Sequence, residues 1–258
     1  MIQESIRTRK ALQVIFLAIG QGDSTLFRFP NGYIAIVDGG PSEEGLIRQL
    51  RRKNISKVDL MVLSHPDLDH ALGLLYVLEQ MPVQELWHTG FSLDHPMIQR
   101  ITNLARRQGT RIRMLPEIFG VHPIGDAAIE VLAPQKLNPN WSTNNNSIVM
   151  KISWGQNSVL MPGDLEAAVE QQANAQWHAQ VLKVPHHGSR SSSSEHLVRQ
   201  VRPSEVVFCT QPGNQFGFPH AEVVLRWKNS GARVWDTGVN GEVRVWMSQH
   251  EMELRSYR

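Results

Sequence analysis

The chain has 258 residues, of which 41% are apolar and 19% charged, with a net charge of +2 and a single cysteine, Cys209. That balance excludes a disordered or collagen-like chain, and the length suits one large α/β domain. The longest nearly apolar run, Leu72 to Leu78, is too short to cross a bilayer, and one cysteine excludes an internal disulfide.

Arg7, Arg9 and Lys10 precede an apolar run that is broken by Gln21 and Asp23 with no small-residue cleavage site, so neither a signal peptide nor a membrane anchor is expected. The first elements read as strands over Leu12 to Ile19, Ser24 to Phe29 and Tyr33 to Val37, with Asn31-Gly32 as a hairpin turn. A helix is expected over Glu43 to Lys53, where Leu46, Ile47 and Leu50 share one face. The apolar strand Leu60 to Leu63 leads into Ser64-His65-Pro66-Asp67-Leu68-Asp69-His70, and a helix starts near His70. A strand near Glu85 to His88, a helix over Pro96 to Arg107, and strands over Arg111 to Leu115 and Ala127 to Leu132 follow.

The polar loop Pro139 to Asn146 separates this half from a second one with the same grammar. Strands at Ser147 to Ser153 and Ser158 to Met161 are followed by a helix from Leu165, a strand over Ala179 to Val184 and a helix over Glu195 to Val201. Strand Glu205 to Cys209, a helix from Ala221 and strands near Arg233 to Trp235 and Gly241 to Trp246 close the chain. Two hairpins, each followed by βα units, predict a four-layer αββα sandwich, a single α/β domain over 1–258 with its core at about 12–247. Cys209 ends an apolar run and reads as a buried strand residue.

Chemistry concentrates first in His65, Asp67, Asp69 and His70, which place four ionisable groups in six residues just after a strand. Alternate residues of an extended loop point the same way, so His65, Asp67 and Asp69 can converge, while His70 turns toward the same pocket as the helix begins. Groups crowded so tightly need a compensating cation. A strand ending in Gly163-Asp164 offers a carboxylate placed to bridge two metals, and another ends in the pair His186-His187, flanked by Gly188 and Ser189. Which of those two histidines ligates is open at this level. The other can protonate a leaving group or hold the substrate.

These residues resemble the metallo-β-lactamase superfamily, whose usual motif is His-x-His-x-Asp-His, with Asp67 here at the second histidine. That variant is similar to the soluble metallo-β-lactamase domain of ComEC competence proteins. Further matching segments are Phe16 to Ser24, Ile36 to Gly40, Asn145 to Val149, Gly163-Asp164, Leu182 to Ser189 and Phe216 to His220. The resemblance runs from about Gln13 to Val245. The chain departs from it at Ala18, where the family usually has an aspartate, and at Phe218, where it has a histidine; His220 is kept. Where other members supply a histidine ahead of the bridging aspartate, only Asn144 to Ser147 stands here.

The resemblance implies a metal-dependent hydrolase with two divalent ions, Mn²⁺ or Zn²⁺. Three carboxylates beside the histidines make an oxygen-rich site that manganese tolerates well. His65, Asp67, Asp69, His70, Asp164, His186 and His187 are the metal candidates. Asp69, Asp164, His187 and His220 are the catalytic candidates, Asn146, Ser147, Ser189 and Arg190 the substrate contacts, and Asp23 and Asp38 the supports behind the ligands. The expected function is a phosphodiesterase or nuclease acting on DNA. A hydrolase of a small ester, lactone or phosphocholine-type phosphodiester is the second enzymatic reading, and a non-catalytic binding module the third. The expected location is cytoplasmic for a stand-alone chain, and the soluble part of a membrane protein for a ComEC-type domain. Arginines clustered at 48–53 and 100–113 read either as solvated helix faces or as phosphate contacts. The serines at 191–194 read as a flexible loop and helix cap.

Overall fold

The computed structural model describes residues 11–258 as two facing sheets between layers of helix; Arg7, Arg9 and Lys10 lie outside the described residues. The first sheet has eight strands in the order β15-β14-β1-β2-β3-β4-β5-β6. They are β1 (Leu12–Phe16), β2 (Thr25–Arg28), β3 (Ile34–Val37), β4 (Val58–Val62), β5 (Val83–His88), β6 (Arg111–Met114), β14 (Glu242–Met247) and β15 (Met252–Tyr257). The second has seven, β13-β12-β11-β10-β9-β8-β7. These are β7 (Gly120–Ile124), β8 (Ala127–Ala133), β9 (Val149–Trp154), β10 (Asn157–Met161), β11 (Val181–Lys183), β12 (Glu205–Phe208) and β13 (Arg233–Asp236).

Period-two alternation divides each strand between two cores. Leu12, Val14 and Phe16 of β1 face Ile129, Val131, Val159 and Val181 of the opposite sheet, and together they form the central layer. Ile15 and Ile36 point the other way, onto α1 (Gly45–Arg52), α2 (Leu68–Gln80) and α3 (Pro96–Arg107), through Leu46, Leu74 and Ile101. On the second sheet, Leu160, Leu182 and Val206 pack outward against Leu197 of α5 (Glu195–Val201) and Trp227 of α6 (Ala221–Asn229). These four layers are the αββα sandwich that the sequence pattern predicts.

Two edge strands lie outside that pattern. β7 contains Pro123, which an outer strand tolerates because one row of its N–H groups has no partner strand. β15 alternates Met252 and Leu254 against the core with the exposed Glu253 and Arg255, so the first sheet extends past the expected core limit of 247. The helix expected from Leu165 is a single turn, α4 (Ala167–Glu170). Cys209 is buried just past β12 in the central layer. No helix among the described residues is long and apolar enough to cross a membrane.

The parallel strands β3, β4 and β5 of one sheet and β10, β11 and β12 of the other all release their chains at one end of the sandwich. Ligand sites form at such carboxyl ends because the loops there converge.

Candidate metal centre

The segment after β4 is extended only through Asp67, which stands at the N-cap of α2; Asp69 and His70 lie in the first helical turn. The expected alternation therefore holds for His65 and Asp67, and the helix, not an extended loop, presents Asp69 and His70. From the second sheet, Asp164 follows β10 through Gly163. That glycine has φ +60°, and a Cβ there would stand 2.7 Å from the Ser147 Cβ. His186 and His187 follow β11 with φ of 50° and 51°, a left-handed backbone that non-glycine residues adopt at a cost of about 1–3 kcal/mol each. Asp38, at the end of β3, has φ 60°. Such strain gathers where geometry serves a site.

Hydrogen bonds set the tautomers of three buried histidines. The Nδ1–H of His187 donates to the Cys209 carbonyl at 2.9 Å, and that of His70 donates to Asp38 Oδ2 at 2.9 Å. Ser64 gives its hydroxyl proton to Asp38 Oδ2 at 2.7 Å, so its oxygen accepts from His65 Nδ1–H at 3.0 Å. In its neutral form each ring therefore carries its lone pair on Nε2. All three Nε2 atoms are buried without a hydrogen-bond partner. The carboxylates face them: Asp164 Oδ2 lies 3.3 Å from both His70 Nε2 and His187 Nε2, and Asp69 Oδ2 lies 3.2 Å from His187 Nε2. Asp67 Oδ2 stands 3.8 Å from His65 Nε2 on the more open side. Orphaned imidazole lone pairs opposite carboxylate oxygens fit divalent cations, since the alternative is unpaired buried polar atoms.

The carboxylates around these rings carry surplus negative charge, which draws protons onto the nitrogens that would otherwise meet a cation. Burial opposes charge on His70 and His187, yet Asp164 and the carboxylates behind them hold both well above the ordinary imidazole value. Burial and the adjacent His70 push His65 down to about 4, so it stays neutral. Burial also opposes charge on Asp164, but Lys183, His70 and His187 keep it ionised.

Asp23, His70, Asp164 and His187 carry ligand-type atoms that all lie within 4.8 Å of one another. Asp23 nevertheless stands behind the lone pairs. Its Oδ1 faces His187 Nδ1 at 3.4 Å, on the far side of the ring from Nε2, and its Oδ2 pairs with the Lys183 ammonium. Lys183 also donates to Asp164 Oδ1 at 3.1 Å and to the Gly163 carbonyl at 3.2 Å. Sequence reasoning passed over Lys183. Its signal was a lysine inside an otherwise apolar parallel strand, a position where lysine is rarely buried unless paired.

Of the two late histidines, His187 enters the cluster and His186 lies outside it, partly exposed, with its Nδ1 3.7 Å from Glu166 Oε1 and 3.4 Å from Ser191 Oγ. Glu166, a second residue missed from sequence, is clamped by Asn145, which donates to its Oε2 and accepts its backbone N–H. His220 lies at the mouth, where its Nδ1 accepts the backbone N–H of Arg190 at 3.1 Å.

Two expected substrate contacts are placed otherwise. Asn146 is buried with its amide bonded to Asn138 and Ser142 in its own loop. Ser147 is also buried, and its hydroxyl accepts the Asp164 backbone N–H at 3.4 Å. Both hold the loop that carries the ligands. Ser189 is buried against Ser191, and Arg190 is exposed. The serines at 191–194 are not a loose loop. Ser192 and Ser193 are buried, Glu170 accepts the N–H groups of Ser193 and Ser194 at 2.6 Å each, and Ser194 caps α5. In the arginine cluster at 100–113, Arg113 pairs with Glu85 and Glu117, and Arg111 with Glu117.

Sequence and fold comparisons agree with this geometry. Over 254 residues the chain is 32% identical to "Recombination protein 2" of Haemophilus influenzae, covering 95% of this chain and 30% of that protein. It is 29% identical over 254 residues to "ComE operon protein 3" of Bacillus subtilis, covering 90% of this chain and 32% of that one. The chain thus spans about a third of the length of these curated relatives. Among solved structures, CmlA, a diiron β-hydroxylase from Streptomyces venezuelae, has the same fold with a TM-score of 0.54 at 14% identity, over 92% of this chain and 54% of CmlA. The family model of the Metallo-beta-lactamase superfamily matches residues 17–211, and the chain belongs to that superfamily, whose members are generally metal-dependent hydrolases.

Proposed function

We propose that the chain is a metal-dependent phosphodiesterase that cleaves DNA. The observation that carries this reading is the convergence of the unpartnered Nε2 atoms of His65, His70 and His187 on Asp67, Asp69 and Asp164. His70, His187, Asp69 and Asp164 would hold one divalent ion, and His65 and Asp67 a second; Mn²⁺ and Zn²⁺ both suit these donors. When bound, such ions supply Lewis acidity at the phosphoryl group and make water nucleophilic at neutral pH. The likeness to competence and recombination proteins supports DNA as the substrate.

The chain's own residues have distinct parts in this reading. Asp38 and Ser64 orient His70 and His65, and the Cys209 carbonyl orients His187. His220 accepts a backbone N–H at Nδ1, so its neutral form carries a proton on Nε2 that it can donate to the departing oxygen. His186, beside Glu166 and Ser191, lies where it can donate to a phosphate oxygen. Arg190 offers an exposed cation to the backbone of the strand.

A gel assay with single- and double-stranded DNA, with Mn²⁺ or Zn²⁺ added, tests this beside Asp164→Ala. Cleavage by the wild type and none by the variant is the expected result. DNA left intact under both metals, with metal bound, would direct the search to a small phosphodiester or ester.

A further inference from the structure

The loop between β12 and α6 carries two phenylalanines that the metal pocket does not require. Phe216 is 53% exposed, and its ring centroid lies 5.4 Å from that of Phe218 at an interplanar angle of 21°. Phe218 lies 6.2 Å from His187 at 26°. Three roughly parallel rings thus run from a buried histidine of the metal centre out to solvent. The loop is braced rather than slack. Asn214 accepts the backbone N–H groups of Phe216 at 3.2 Å and Phe218 at 3.0 Å, and its amide donates to the carbonyls of Gln211 and Phe218 at 2.8 and 2.6 Å. The backbone therefore holds Phe216 outward. On the other side of Phe218, His220 lies 5.3 Å away and bonds to Arg190, whose guanidinium is exposed and only 3.8 Å from its nearest carboxylate, Glu222.

We propose that the open face of Phe216 is a stacking platform for one unpaired nucleobase of a single-stranded DNA segment, whose backbone passes Arg190 into the metal pocket. This rests on the nuclease reading above and names the strand state it acts on. An exposed aromatic beside a cation, continuous with a site suited to phosphodiesters, matches the pairing of stacking face and basic neighbour that binds single strands. Bases in a duplex are already stacked on one another and cannot reach such a ring. Two rings also offer far less area than a stable protein interface needs.

The test compares wild type, Phe216→Ala and Phe216→Trp with Mn²⁺ on a labelled single-stranded oligonucleotide, its duplex, and an abasic strand of equal length. Phe216→Ala is expected to raise KM for the base-bearing single strand about ten-fold with kcat little changed. Phe216→Trp should keep the wild-type KM, and wild type and Phe216→Ala should cleave the abasic strand equally. If the wild type cleaves DNA and Phe216→Ala matches it, or slows the abasic strand as much as the normal one, the platform is overturned and the nuclease reading stands. A wild type that binds metal but leaves every strand intact overturns both.

Discussion

The two walls of the metal pocket are built differently. The deep wall, with His70, His187 and Asp164, is almost fully buried, and each ligand is gripped from behind by Asp38, the Cys209 carbonyl or Lys183. The outer wall pairs buried His65 with Asp67, whose side chain is 42% exposed and, among the described residues, accepts a hydrogen bond from the Thr143 hydroxyl at 3.1 Å. No histidine stands at Asn144 to Ser147 to complete it. A ligand whose orientation is already set loses less freedom on binding, so the deep wall should bind its ion more tightly than the outer wall.

The largest expected effect comes from the ammonium behind the deep wall. Lys183→Met leaves Asp23 and Asp164 facing each other without their shared cation, and losing one partner of a buried ion pair costs about 3–5 kcal/mol. Thermal unfolding should show this loss in chelator, with partial recovery in Mn²⁺ as the metal takes over the neutralisation. An unchanged melting temperature in chelator would mean that Lys183 does not anchor the wall.

Metal titrations sharpen the contrast next. Asp38→Asn puts an N–H donor in place of one of the two oxygens that accept from Ser64 and His70, disturbing the orientation of His70 and, through Ser64, His65, and is expected to lower metal affinity about 10–100-fold. Asp67→Ala should abolish only the weaker of two binding events and leave the tighter one in place. Equal weakening of both events by Asp67→Ala would erase the distinction between the walls.

The smallest effect at neutral pH belongs to His88, a buried histidine that lacks the carboxylates surrounding His70. Burial, aided by Arg106, lowers its value to about 4. Its folded value lies below its unfolded one, so the unfolded chain takes the proton first as pH falls. Stability is therefore lost between about pH 6.5 and 4, by under ~1 kcal/mol at pH 6 and approaching ~3 kcal/mol near pH 4. His88→Asn keeps an acceptor for the Gly90 N–H and should flatten this part of an unfolding-against-pH profile. A profile identical to the wild type would show that His88 titrates normally.

Much of this molecule was legible in its residues. Alternating apolar strands and the 3.6-residue helix faces dictate the two-sheet sandwich, because those periodicities record which side each residue buries. The edge strands β7 and β15 escaped, since an edge needs neither a continuous apolar face nor freedom from proline. His65 to His70 announced a metal motif because its donors are neighbours in the chain.

Tertiary structure decided what no spacing encodes. It turned His187 inward and His186 toward Glu166, through a left-handed backbone turn that places adjacent residues on different sides. It brought Lys183 of β11 between Asp23 and Asp164, which lie 160 and 19 positions away in the chain. It also used the amide of Asn146 to brace a loop rather than to meet a substrate. Residue type and local order fix which chemistry a chain can perform. Which lone pairs and charges meet in one pocket depends on how two sheets bring distant loops to the same end, and only the packed fold sets that.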